Sequence, residues 1–85
     1  MTQEQANSLA EALRGRFQAE VDVEQVGDRM RFRFGVVSPQ FSQMTQLQRQ
    51  DAVWQVVDAT LPREATLDVS LILTFSPAEF ADAGR

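Results

Sequence analysis

Apolar positions along the chain change their period three times, and each change predicts an element. From Ala6 through Leu9, Ala10, Leu13 and Phe17 they recur at i, i+3, i+4 spacing, which makes one stripe on a helix. That helix opens at Thr2, where T-Q-E-Q sets Gln5 three residues after a hydroxyl and predicts a capping box. Gly15, near its end, is the expected left-handed cap. Between residues 19 and 37 the period drops to two. Val21 and Val23 alternate with Glu20, Asp22 and Glu24; after a turn at Gly27-Asp28, Met30, Phe32 and Phe34 alternate with Arg29, Arg31 and Arg33. This predicts a hairpin with valines facing Phe or Met on one side and acids facing arginines on the other. A two-residue turn sets Glu24 opposite Arg31 and Asp22 opposite Arg33, and a loop two residues different keeps the parity, so acid is expected to face base either way.

Helical spacing returns after S-P-Q-F-S-Q-M. Thr45 and Gln48 form a second capping box, Leu47, Val53, Trp54, Val57 and Leu61 an apolar face, and Pro62 a stop. The polar side carries Gln46, Gln48, Gln50 and Gln55, with Gln40 and Gln43 just before it. The stretch A-T-L-D-V-S-L-I-L-T-F then alternates again, with Leu67, Val69, Leu71, Leu73 and Phe75 on the expected core face. Ser76, Pro77 and Glu79 open a short helix carrying Phe80. A strand–helix–strand connection is right-handed and sets the third strand parallel to the second. The expected architecture is α+β, a two-layer αββαβ domain over residues 1–85. Two helices cover one face of a three-stranded mixed sheet, and a short C-terminal helix follows.

Composition narrows the chemistry. The 85 residues hold no Cys, His or Tyr, and all eight cations are arginine. Disulfides, thiolate metal sites and thiol catalysis are excluded for the chain alone, and so is the side chain that titrates nearest neutral pH. Five serines (Ser8, Ser38, Ser42, Ser70, Ser76) have neither histidine nor lysine to activate them. Asp51 and Asp58, seven apart on the second helix, read as surface residues, and no Gly-rich phosphate loop or D-x-D-x-D-G calcium loop is present. No enzyme and no cofactor is expected. No apolar run reaches the roughly 18 residues of a membrane span, and the first residues lack a signal peptide's basic and apolar regions, so a cytoplasmic protein is expected.

The stretches F-R-F-G-V-V-S-P-Q-F, L-Q-R-Q-D-A-V-W and L-I-L-T-F-S-P-A-E-F, taken with this element order, resemble the BolA family, small proteins of class II KH-like fold. Phe41, Leu47, Arg49, Val53 and Trp54 fall in the places of the family's main-helix motif, and Thr74, Phe75, Glu79 and Phe80 in those of its last strand and terminal Glu-aromatic pair. The resemblance implies a histidine just before Thr74 that helps bind an iron–sulfur cluster shared with a monothiol glutaredoxin. Leu73 stands there, Gln50 replaces the helix histidine, Asp51 replaces the arginine after it, and the first hairpin loop is cut to V-G-D. Leu73 is then expected to be core.

The function expected is that of a non-enzymatic, BolA-like interaction or regulatory domain without iron–sulfur ligation. Its partner-binding residues would be Arg49, Gln50, Thr74 and Phe80, with a monothiol glutaredoxin-like protein as the inherited partner. The alternative is a KH-like nucleic-acid-binding module of the transcription-regulator type using Arg29, Arg31 and Arg33. Net charge of −4 and facing carboxylates oppose it, and the G-x-x-G loop of KH domains is absent. Self-association through a strand edge or the glutamine face is a third expectation.

Overall fold

The computed structural model of the protein describes residues 1–27 and 31–83. Helix α1 (Gln3–Phe17) leads into β1 (Glu20–Val26) and β2 (Arg31–Val37). A 3-10 turn at Pro39–Gln43 then precedes α2 (Gln46–Thr60), a single helical turn α3 (Arg63–Thr66), β3 (Val69–Phe75) and α4 (Pro77–Ala83). The sheet order is β1-β2-β3, with β1 antiparallel and β3 parallel to β2. This is the mixed three-stranded α+β sheet expected from the periodicity.

Both expected capping boxes form. The Thr2 hydroxyl accepts from Gln5 N–H and the Thr45 hydroxyl from Gln48 N–H, and each glutamine reaches back to the cap's N–H. Each such cap contributes about 1 kcal/mol by satisfying donors that no helix can satisfy internally. The left-handed cap of α1 is Gln18 (φ 51°), not Gly15. Phe17 continues the buried stripe of Leu9 and Leu13 past Gly15, so the helix gains burial by running on to it. At the hairpin, Gly27 adopts φ 66°, which glycine tolerates without steric cost; Asp28, Arg29 and Met30 lie outside the described residues.

One core forms between the helices and the sheet. Phe17, Phe32, Phe34 and Phe41 are fully buried among Leu9, Leu13, Val36, Val53, Val57 and Ile72, with the Phe17 and Phe41 ring centroids 5.3 Å apart. Ser38 is buried with them. Its hydroxyl donates to the Phe17 carbonyl at 2.7 Å and accepts from Gln40 N–H, so it ties the end of α1 to the end of β2. Leu47 does not join the α2 face: it is 72% exposed, and the buried positions are Arg49, Val53, Val57 and Leu61. Those four recur at i+4, and Leu47 lies off that line.

The third strand departs most from expectation. Ala65 and Thr66 belong to α3, and the strand starts at Val69. Phe32 pairs with Val69, but Arg33 pairs with Leu71, so Ser70 is an extra residue in the ladder. This β-bulge shifts the phase by one, and such a slip sends every later side chain to the opposite face. Val69, Ile72 and Thr74 point inward. Leu71 and Leu73 are 46% and 41% exposed, and Phe75 is half-buried, all on the side away from α1 and α2. Leu73 is therefore not a core residue. The reason lies in α2, whose first turns bring Gln46, Arg49 and Gln50 over this end of β3. Thr74, turned inward, donates its hydroxyl to Gln46 Oε1, a partner that an inward Leu73 or Phe75 could not offer.

Candidate functional site

Three of the four expected partner-binding residues, Arg49, Gln50 and Thr74, do come together, with Arg49 and Thr74 buried and Gln50 half-buried. The capping box at Thr45 fixes the start of α2, and Arg49 follows one turn later on its buried face, only 5% exposed. Its guanidinium donates Nε to the Met44 carbonyl (3.2 Å), Nη2 to the Phe41 carbonyl (2.7 Å), and Nη1 to the Thr74 carbonyl (3.4 Å) and Glu79 Oε1 (2.7 Å). It also lies over the Phe41 ring, 5.7 Å from its centroid. One planar fork so joins the 3-10 turn, α2, β3 and α4, a geometry lysine cannot reproduce. Glu79 is the opposite pole. The Arg49 hydrogen bond first, and then the Ser76 N–H, hold its carboxyl at a pKa of about 2. Ser76 and Glu79 form the expected capping box of α4.

The same residues occupy carbonyls on the free edge of the sheet. Phe75's carbonyl accepts from Ser38 N–H beyond the end of β2, so the carbonyls of Ile72 and Thr74, opposite in parity, point away from β2. Gln50 Nε2 donates to the Ile72 carbonyl at 3.0 Å while its Oε1 accepts from the Trp54 indole; Arg49 takes the Thr74 carbonyl, and Gln46 accepts from the Thr74 hydroxyl. On the other edge, Arg14 Nη2 donates to the Val21 carbonyl at 3.0 Å. Unpaired edges recruit foreign strands, and side-chain caps of this kind guard against it. Of the glutamine-rich face of α2, Gln50 is thus half-buried against β3, while Gln46 stays exposed.

Phe80 alone of the four is presented outward, 48% exposed, with its ring tilted against Phe75 at 5.8 Å. It overhangs the sheet face that carries Leu71, Leu73 and Phe75. Beside these run the charged positions, in a register two residues from the one expected. Glu24 faces Arg33, Asp22 faces Gly35, Glu20 faces Val37 and Val26 faces Arg31. Parity holds, but among the described residues the acid–base ladder has one rung, the Glu24–Arg33 pair. Being exposed, that pair contributes only about 0.2–1 kcal/mol. Of the arginines expected for nucleic acid, Arg33 is so engaged, Arg31 is exposed opposite Val26, and Arg29 lies outside the described residues. A groove of about 390 Å³ runs between Asp22, Glu24 and Arg33 on one wall and Leu73, Phe75 and Phe80 on the other, with Gly35 at its floor. It adjoins a second, of about 280 Å³, lined by Glu20, Val37, Pro39, Pro77 and Phe80.

Reading the sequence did not find this face. Both parities of L-D-V-S-L-I-L-T-F are largely apolar, so alternation alone fits either phase. The signal that could have decided it is Gln46 in the first turn of α2, whose side chain meets the hydroxyl of an inward Thr74.

No protein-family profile and no curated protein matches the chain. Solved structures do. BolA1 from Arabidopsis thaliana superposes with a TM-score of 0.70 at 21% identity, over 92% of this chain and 98% of that one. The BolA domain of SufE1 from the same plant gives 0.67 at 20%, over 93% and 98%. Both show the fold, a BolA-like α+β domain. A BolA protein from Ehrlichia chaffeensis is 30% identical over 87% of this chain and 90% of its own, with a TM-score of 0.52. The chain belongs to the BolA family.

The donor set does not suit an iron–sulfur cluster. Such clusters take thiolate or imidazole ligands, and the sequence has neither. Leu73 stands where the resemblance implies a histidine, and the groove around it offers carboxylates, a guanidinium and aromatic rings. Among the described residues no three carboxylates cluster to hold a metal ion, and no helix is long and apolar enough to cross a membrane.

Proposed function

We propose that this protein is a non-enzymatic BolA-like interaction domain that docks a protein partner without ligating an iron–sulfur cluster. The observation that carries the reading is the apolar strip of Leu71, Leu73 and Phe75 on the sheet face opposite α1 and α2, continued by Phe80 of α4. Isolated exposed apolar residues need no explanation, but a contiguous strip bordering a groove is what docking surfaces present. In one structural neighbour the BolA fold is a domain of SufE1, which supports reading it as a module that works beside other protein. Arg49, Gln50 and Thr74 serve this surface indirectly: they hold β3 and α4, and with them Phe80, in place.

The test is an amide NMR titration with the host's monothiol glutaredoxin, both apo and cluster-loaded. The reading expects shifts at Leu73, Phe75 and Phe80 that are alike for the two forms, because this chain supplies no ligand. Shifts seen only with the loaded form would refute the ligand-free reading, and silence with both would remove the inherited partner.

A further inference from the structure

We infer that the occupant of the open face is a basic amphipathic helix of the partner protein, apolar toward Leu71, Leu73 and Phe80 and cationic toward Glu20 and Asp22. The inference rests on the docking role proposed above and specifies the chemistry of what docks. Three observations lead to it.

The first is charge. Within the two adjoining grooves Glu24 is matched by Arg33, whereas Glu20 and Asp22 face Val37 and Gly35 and have no cationic partner among the described residues. The acidic wall therefore lies parallel to the apolar strip, and complementarity calls for lysine or arginine flanking an apolar stripe. A second copy of this chain fits poorly, since each copy carries −4.

The second observation concerns backbone groups. A docked extended segment needs a sheet edge for its N–H and C=O groups. Arg49 and Gln50 occupy the outward carbonyls of Thr74 and Ile72 on β3, the edge beside the apolar strip. The face itself presents side chains only, so an occupant lying across it must satisfy its own backbone groups, as a helix does. From Glu20 to Glu24 the acidic wall spans about 13 Å, the length of two to three helical turns.

The third is Gly35. A Cβ there would meet only the Asp22 Cβ, at an ordinary 3.9 Å, and the residue does not adopt a positive φ. Packing within the chain does not require glycine at this place, and glycine inside a strand is unfavourable. Its one evident effect is to leave the groove floor open beside Leu73.

The probe is a synthetic helix of about 15 residues, leucine along one face and lysine elsewhere, titrated into labelled protein. A glutamate-for-lysine version serves as control. The lysine peptide is expected to shift the amides of Gly35, Leu71, Leu73, Phe75 and Phe80, with affinity falling as salt rises. The double variant E20Q/D22N is expected to bind about tenfold more weakly at low salt, at the upper end for two exposed pairs. Gly35→Val is expected to lose tenfold or more while unfolding at the same or higher denaturant, which separates a filled groove from a damaged fold. Shifts centred on Leu47 or Leu67, equal binding of the glutamate peptide, undiminished binding by the valine variant, or no binding at all would each overturn the inference. So would light scattering that shows the face closed by a second copy. Glutaredoxin shifting these amides where the lysine peptide does not would leave the docking role standing and remove the helix.

Discussion

Replacing Arg49 by methionine is the most informative perturbation of this fold, because length and helix propensity are nearly kept while one planar fork of donors is lost. Four acceptors lose a partner, but not equally. The Phe41 carbonyl keeps the Met44 N–H at 3.1 Å, and Glu79 keeps the Ser76 N–H and is partly open to water. The Met44 and Thr74 carbonyls retain nothing in exchange. A buried acceptor left unmade costs about 1–3 kcal/mol, and removing one member of a buried ion pair about 3–5 kcal/mol. Because Glu79 can rehydrate and the Thr74 contact is long, the lower end applies, about 3 kcal/mol in all. A chain of this length has roughly 4–13 kcal/mol of stability, so Tm should fall by about 12–24 °C.

Urea unfolding followed by the fluorescence of Trp54 measures this directly, since its indole N–H bonds Gln50 beside the arginine. Arg49→Lys retains the charge but brings one ammonium to acceptors on four segments, and is expected to recover less than half of the loss. Arg63→Met, on an exposed turn, should stay within about 0.5 kcal/mol. A loss below about 1 kcal/mol for Arg49→Met would refute the claim that this side chain ties β3 and α4 to the helical layer.

Three further outcomes are expected. Glu79 has a folded-state pKa of about 2, below its ordinary 4.5, so its contribution is complete above 4.5 and lost as pH falls toward 2. The denaturation midpoint of the wild type should drop more steeply across that window than that of Glu79→Gln, and parallel curves would contradict the Arg49 latch. Ile72→Ala should cost about 2–4 kcal/mol, as deletions in a filled core do, whereas Leu73→Ser stays within about 0.5 kcal/mol. The reverse order in chemical denaturation would return β3 to its unshifted phase. Gln50→Ala removes the cap on the Ile72 carbonyl, and should cost about 1 kcal/mol and produce concentration-dependent self-association in light scattering. A variant that stays monomeric at every concentration would mean that the edge is guarded by something else.

Most of the architecture was legible because it rests on local rules. The stripes of α1 and α2, the two threonine capping boxes and the alternation of Val21, Val23, Phe32 and Phe34 each specify structure within a few residues of themselves. The candidate site was not legible because it depends on two events that are not local. One is the hairpin register: loop length moved it by two residues, which preserved parity yet left Asp22 facing glycine and Glu20 facing valine, so the charges do not cancel. The other is the bulge at Ser70.

These two events bear on the same face from opposite edges. The register leaves a wall of unmatched carboxylate on β1, and the bulge turns Leu71, Leu73 and Phe75 outward on β3; each would be a local oddity without the other. The bulge also turns Thr74 toward α2, where its hydroxyl meets Gln46 while Arg49 and Gln50 take the backbone carbonyls of Thr74 and Ile72. The arginine that reads in the sequence as a surface contact thus secures, from the helical layer, the strand that carries the open face. That makes the order of effects testable. Arg49 variants should lower both stability and binding, whereas Gly35, Leu73 and Asp22 variants should weaken binding without lowering stability.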